Sequence, residues 1–245
     1  FFSTTDIGKI DFLNLWKKIK EKLPKFDLVC LEKQPEKIGQ LENPFVKYLS
    51  KIQQSYSSSI VSEDTFDEFL EKNLKKKFLD DTKRSLKNLN KKGELKFEVF
   101  ENSNNSQVKN IINKILNQKT LRLKKLNIKN NLDQYAKDFY LNFNSDKFYN
   151  GKIHISSITF NGKLLSYHWG VVYKKIFYYL MPSISESELN KYSPGRILLY
   201  NLIKWSFKNK IKEFDFTIGE ESYKKNWSNL RSKMYQSLQP NSLIS

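Results

Sequence analysis

The chain has 245 residues, 39% of them hydrophobic and 14% aromatic, enough to bury one large core or two small ones. Its longest apolar runs are strand-sized, short of the roughly 18 residues a membrane span needs, and its single cysteine, Cys30, excludes an intrachain disulfide and fits a reducing, cytoplasmic compartment. The formal net charge of +17 points either to an anionic partner or to a compositional bias toward lysine; because lysine so dominates, Arg84, Arg122, Arg196 and Arg231 stand out as positions where a planar, bidentate donor is candidate chemistry. The chain opens on Phe1-Phe2 with neither an initiator Met nor a signal-peptide pattern, and reads as a fragment of a longer protein.

In chain order, apolar spacing predicts a helix over residues 11–22, capped by Asp11 and stopped by Pro24, then a buried strand from Phe26 to Leu31. Residues 38–59, with Pro44 and the Ser57-Ser58-Ser59 run, read as an irregular connector and the domain boundary. Asp64 or Thr65 caps a short helix through Leu70. A long basic helix over 74–92 follows, with a narrow apolar stripe (Phe78, Thr82, Leu86, Leu89) and Gly93 at its C′ position. Leu95 to Phe100 alternates as a strand, and Val108–Leu126 and Leu132–Phe143 are amphipathic helices, with loops at Asn102–Asn105 and Asn130-Asn131. Strands are then expected from Ile153 to Phe160, Leu164 to Tyr173 and Ile176 to Met181, joined by tight turns at Asn161-Gly162 and Lys174-Lys175, with Pro182 ending the third. Pro194–Lys208 is a helix apolar nearly all round; Glu213–Thr217 and Ser232–Leu238 are further strands. A meander, a helix and a returning strand make the fold α+β.

Four places carry candidate chemistry. At Ser193-Pro194-Gly195-Arg196 a helix start offers backbone N–H groups, the positive end of the dipole and an Arg fork to an anion; the alternative is an ordinary Pro-Gly helix start. In the stretch from Phe214 to Trp227, Asp215 sits between two aromatics and either orients a substrate amine or caps a loop. Glu220 follows a glycine at a strand end, Tyr223 is a candidate general acid, and Lys224 a candidate anion contact. His168, beside Trp169, is a candidate base or a core histidine, and His154 on the preceding strand is placed to face it. The basic helix with Arg84 suits RNA, a phosphorylated substrate or plain solvation. No set of His, Cys and carboxylates has metal-ligand spacing, and no Walker loop, GxSxG or GxGxxG occurs.

These pieces occur together in one family. From Lys152 to Trp227 the chain resembles the C-terminal part of the CelD/BcsL-type GNAT acetyltransferases of bacteria, through His154-Ile155-Ser156, Tyr167-His168-Trp169-Gly170, Phe177-Tyr178-Tyr179, Ser193 to Leu199, and Phe214-Asp215-Phe216 with Gly219, Glu220, Tyr223, Lys224 and Trp227. The resemblance implies a mixed central sheet flanked by helices. Through the related FemAB aminoacyltransferases it also implies a two-half plan, with residues 1–60 the remnant of a first GNAT-like half and 61–245 a complete one. It implies acetyl-CoA or another acyl-CoA as donor, its thioester and pantetheine beside Tyr179 and Met181 and its pyrophosphate on Ser193, Pro194, Gly195 and Arg196. The acceptor would be an amine or hydroxyl of a cell-envelope or glycan precursor. His168, Asp215 and Tyr223 are the candidate catalysts, and Arg84, Glu220, Lys224 and Trp227 the candidate acceptor contacts. Aminoacyl-tRNA as donor, or a non-catalytic binding module, are the alternatives.

Overall fold

The computed structural model describes residues 5–100, 106–127, 132, 134–142 and 151–240. The loops expected at Asn102–Asn105 and Asn130-Asn131 lie outside them. The chain divides into two compact units. Unit 1 gathers Phe1–Ser58, Ile218–Lys225 and Leu230–Ser245; unit 2 gathers Ser59–Thr217 and Asn226–Asn229.

Unit 1 opens with α1 (Lys9–Lys22), whose buried Phe12 and Trp16 pack edge-on against Phe45 of α2 (Pro44–Tyr48). The N-cap is Gly8 rather than Asp11, because the chain becomes helical three residues earlier and Asp11 falls in the first turn, where an acid favours the dipole. Strand β1 (Leu28–Pro35) pairs antiparallel with the C-terminal strand β10 (Leu230–Pro240), Leu28 opposite Pro240. Residues 38–59 are not a connector. They hold a small hairpin of β2 (Lys37–Ile38) and β3 (Leu41–Glu42), then α2, capped by Asn43, and then β4 (Ile52–Val61). The polar run Gln53–Ser59 belongs to that ten-residue strand, so a boundary drawn at residue 60 cuts through it. Serines read as loop residues here, yet Ser57, Ser58 and Ser59 are buried strand residues.

Unit 2 contains α3 (Phe66–Asn73), α4 (Lys76–Asn90), β5 (Leu95–Phe100), α5 (Ser106–Lys125), α6 (Gln134–Asn142), β6 (Gly151–Phe160), β7 (Lys163–Tyr173), β8 (Ile176–Ile184), α7 (Pro194–Lys208) and most of β9 (Glu213–Ile218). Helix α8 (Ser222–Trp227) follows β9. Thr65 caps α3 through a full capping box with Glu68. Helix α4 ends without the left-handed glycine expected at Gly93. A side chain there would run into that of Asn161, whose Oδ1 accepts from Glu94 N at 2.8 Å, so the glycine serves a close approach to the hairpin turn.

The strands run in the order β9-β8-β7-β6-β5, antiparallel except that β9 is parallel to β8. Asn161-Gly162 and Lys174-Lys175 both take positive φ at both central positions, the turn that matches strand twist. One face of this sheet is covered by α7, whose Trp205 meets His154 and Phe177, with His168, Tyr179 and Phe214 continuing the ring contacts beneath it. The other is covered by α5, through Val108, Ile111, Ile112, Ile115 and Leu116 against Ile155, Tyr167, Trp169 and Met181. Helices α3 and α4 lie on the far side of α7, Phe66 meeting Tyr200 and Phe69 meeting Phe207. A helix sandwiched this way must be apolar nearly all round, as its sequence is. No helix among the described residues is long and apolar enough to cross a membrane.

Candidate active site

The site begins with an irregularity in β8. In register with β7, Trp169 faces Met181 and Val171 faces Tyr178, so Tyr179 and Leu180 together oppose the single residue Gly170. This is a β-bulge, which bends its strand and leaves the extra residue unpaired. Gly170 makes it possible: a Cβ there would lie 2.5 Å from the Tyr178 carbonyl and run into the His168 ring. The bend has two consequences. Side-chain alternation resets, so Tyr179 stays on the α7 face with His168 while Met181 joins the α5 core. And β8 parts from β9: they pair only at Ile176–Glu213, Phe177–Phe214 and Tyr178–Asp215. Beyond Tyr178 both strands continue, β8 to Ile184 and β9 to Ile218, without pairing to each other. Pro182 therefore does not end β8; on an edge that has no partner strand its missing N–H forfeits nothing.

The same bend delivers the chain to the start of α7. A 3-10 turn over Glu188–Tyr192 leads to Ser193, which is left-handed at φ 54° and precedes Pro194 at the first helical position. Ser166 Oγ, buried, donates to the Pro194 carbonyl at 3.0 Å and ties this corner to β7. Pro194 has no N–H, and the N–H groups of Arg196 and Ile197 both turn back onto the Ser193 carbonyl, at 2.9 and 3.2 Å. What the helix start offers an anion is thus the Gly195 N–H, the dipole and the Arg196 guanidinium. One guanidinium nitrogen donates to Ser193 Oγ at 3.1 Å, and the group lies 5.4 Å over the Phe78 ring, leaving most of its donors unspent. Gly195 itself is explained by packing: an added Cβ would lie 2.7 Å from Ile184 Cδ1.

Where β8 and β9 part, Tyr178 and Asp215 face each other in register, both half-buried. Asp215 Oδ1 accepts from Thr217 N at 2.7 Å, which steadies Thr217 in a left-handed conformation (φ 61°) unusual for a β-branched residue. Burial raises the Tyr178 phenol above its ordinary range, and the Asp215 and Glu213 carboxylates push it the same way. Tyr178 sits on the strand that the resemblance sets beside the pantetheine, where Tyr179 and Met181 are the expected contacts. The bulge opposite Gly170 puts those two into the two cores instead, at 5% exposure each.

Other expected site residues are placed elsewhere. His168 is fully buried, stacked on Tyr179 at 4.7 Å, and neither ring nitrogen has a partner among the described residues. Burial, and after it the charges of His154 and Lys119, hold its pKa well below the ordinary histidine value. It is enclosed in the core with its neutral form favoured. His154 neighbours it diagonally, rings 6.2 Å apart, rather than facing it across the strands. Trp227 is likewise in the core, edge-on to Phe78. Arg84 is exposed on the outer face of α4 and pairs with Asp81 at 3.3 Å, one turn away.

Glu220, Tyr223 and Lys224 fall in unit 1. Lys224 is buried and holds the Ile218 carbonyl and the Glu221 carboxylate, each at 2.9 Å; Gly219 (φ 135°) has no room for a side chain beside them. Glu220 pairs with Arg231 at 3.6 Å, and Arg231 lies 4.1 Å over the Tyr56 ring. Tyr223 is half-buried.

A meander, one parallel strand pair that opens partway along, and a helix starting at the mouth of the opening define the GNAT fold. The sequence agrees: residues 76–225 match the model of the acetyltransferase (GNAT) domain, and the chain belongs to that family. Among solved structures it is similar to FemX (TM-score 0.61, 9% identity, 94% of this chain and 77% of that one). It is also similar to L-PGS from Bacillus licheniformis (0.63, 11%, 96% and 74%). A third is the C-terminal domain of a putative lysylphosphatidylglycerol synthetase from Agrobacterium fabrum (0.62, 11%, 95% and 73%). Identities this low speak for the fold alone. No curated protein matches the chain by sequence.

Proposed function

We propose that the chain transfers an acyl group from acyl-CoA to an amine or hydroxyl of a cell-envelope or glycan precursor. The observation that carries this reading is the parting of β8 from β9 after Tyr178 and Asp215. An unpaired strand edge offers backbone N–H groups to a donor that lies along it, and such groups stabilise an oxyanion without having to reorganise. The acceptor's nucleophile attacks the thioester carbonyl carbon, and the carbonyl π pair moves onto oxygen. When that pair returns, the C–S bond breaks, and the departing thiolate takes a proton. Holding both reactants in one cleft supplies much of the rate.

In this reading Asp215 receives the acceptor's proton or orients its nucleophile, and Tyr178 beside it is the proton donor nearest the branch point. The Arg196 guanidinium and the Gly195 N–H hold the pyrophosphate. Calorimetric titration with acetyl-CoA tests the donor. Heat is expected with the parent protein, and an affinity weaker by about tenfold or more for Arg196→Ala, the loss of a charge-assisted contact. Arg196→Lys should not restore it, because an ammonium lacks the fork. The absence of any heat at millimolar acetyl-CoA sinks the proposal.

One observation favours a second donor. With Pro194 in place of an N–H, and Arg196 and Ile197 bonded back to Ser193, the backbone cradle for a pyrophosphate is thin. An aminoacyl ester of tRNA needs no pyrophosphate there, and the net charge of +17 suits a polyanion. Such binding weakens steeply with salt, so charged tRNA titrated at two ionic strengths separates the readings.

A further inference from the structure

We propose that the C-terminal turns of α5, with the face of α6 that carries Tyr135 and Phe139, dock onto an anionic phospholipid surface. Four large apolar side chains stand out into solvent there: Leu121 at 58% exposure, Leu126 at 56%, Tyr135 at 86% and Phe139 at 48%. Tyr135 and Phe139 are one helical turn apart, so they share a face of α6. The opposite face is already used, Tyr140 meeting Trp169 edge-on with ring centroids 5.1 Å apart. Exposed rings paired on one helix face mark a contact surface more often than singly scattered ones do.

Charge identifies the partner. Helix α5 carries Lys109, Lys114, Lys119, Arg122, Lys124 and Lys125 and no acidic residue. Three of these cations alternate with leucines in its last turns, Leu121-Arg122-Leu123-Lys124-Lys125-Leu126. Among the described residues, the acidic groups on or paired to these helices are Glu186, which pairs with Lys125 at 3.1 Å, and Asp138 on α6, next to Lys137. Apolar side chains that enter the acyl boundary, ringed by cations that meet anionic headgroups, are what an interfacial element needs. RNA is the rival polyanion, but it rewards stacking aromatics and basic groups; the exposed aliphatic chains of Leu121 and Leu126 have no such use.

The docking does not depend on which acyl donor the cleft takes. Co-sedimentation of the full chain with phosphatidylserine–phosphatidylcholine vesicles, against phosphatidylcholine alone, tests it. Binding to the anionic vesicles only is expected. Arg122→Gln with Lys124→Gln should weaken it by roughly fivefold or more per cation removed. Tyr135→Ser with Phe139→Ser should abolish it, and Tyr135→Trp with Phe139→Trp should preserve or tighten it, which guards against a mere folding defect. Absence of binding to anionic vesicles overturns the proposal, as does parent-level binding by the serine variant. It is also overturned if the serine variant loses affinity for an RNA oligonucleotide and keeps its affinity for vesicles.

Discussion

His154 and His168 sit side by side under α7, both almost without solvent contact. Burial lowers the pKa of His154 to about 3, with the Lys152 charge adding to it, and holds His168 well below its ordinary value. A depressed folded-state pKa means that the unfolded chain binds the proton more readily. Stability from these rings is therefore complete above the unfolded value of about 6.5. It is lost as pH falls toward 3, with a slope of up to ~1.4 kcal/mol per pH unit for each ring. Denaturant melts between pH 7 and 4 should show this slope, and His168→Phe should remove about half of it. A slope unchanged in that variant would mean the ring is protonated or solvated in the fold. Gly170 is the second decisive residue: Gly170→Ala forces a methyl group into the Tyr178 carbonyl and the His168 ring, so a loss of roughly 1–3 kcal/mol is expected, read by thermal melting. Neither effect is visible in the sequence. A histidine beside a tryptophan and a glycine in a strand each have ordinary readings; only the bulge opposite makes that glycine necessary.

At the scale of elements, local chemistry was legible wherever the chain decides its own geometry. Asn161-Gly162 announced the turn it makes, and of the two expected caps, Asp64 or Thr65, it is Thr65 that starts the helix. The Lys174-Lys175 turn was legible as a turn but uses two residues ill suited to it, with φ of 48° and 64°. Left-handed backbone costs a side-chain-bearing residue about 1–2 kcal/mol. Lys175→Gly should therefore raise the unfolding free energy by about that amount, measured by urea titration with the m-value unchanged. Elements defined by their neighbours were not legible. Strand β4 was missed because its serines and glutamines carry no alternation, and its place comes from the strand it lies beside, β10. The reset of alternation in β8, which parts Met181 from the Tyr179 face, was hidden for a similar reason: a bulge is a relation between two strands, and one strand's sequence does not contain it.

For the molecule as a whole, the two ends of the chain are bound to each other. β1 and β10 pair over most of their length, Trp16 donates to Gln239 at 2.8 Å, and Tyr235 bonds Glu36. We retain as a proposal that residues 1–60 are the remnant of a first GNAT-like half. A chain begun at residue 61 would strip β10 of its partner β1 and leave only Val61 of β4. Such a truncation should be recovered largely as aggregate, by size-exclusion chromatography, whereas a soluble monomer with a cooperative melt would show that the second half is self-sufficient.

From the sequence alone came the α+β order of elements, the aromatic core material, the helix at Pro194 and a family whose domain the chain carries over residues 76–225. These follow from periodicity and turn chemistry, which act over a few residues. Tertiary structure decided which of those residues meet. It sent His168, Tyr179 and Trp227 inward, opened β8 from β9 at Tyr178 and Asp215, and turned the Arg196 and Ile197 N–H groups back onto Ser193. The reason is physical: burial, strand register and the direction of a side chain past a bulge depend on partners far along the chain, and no local pattern encodes them.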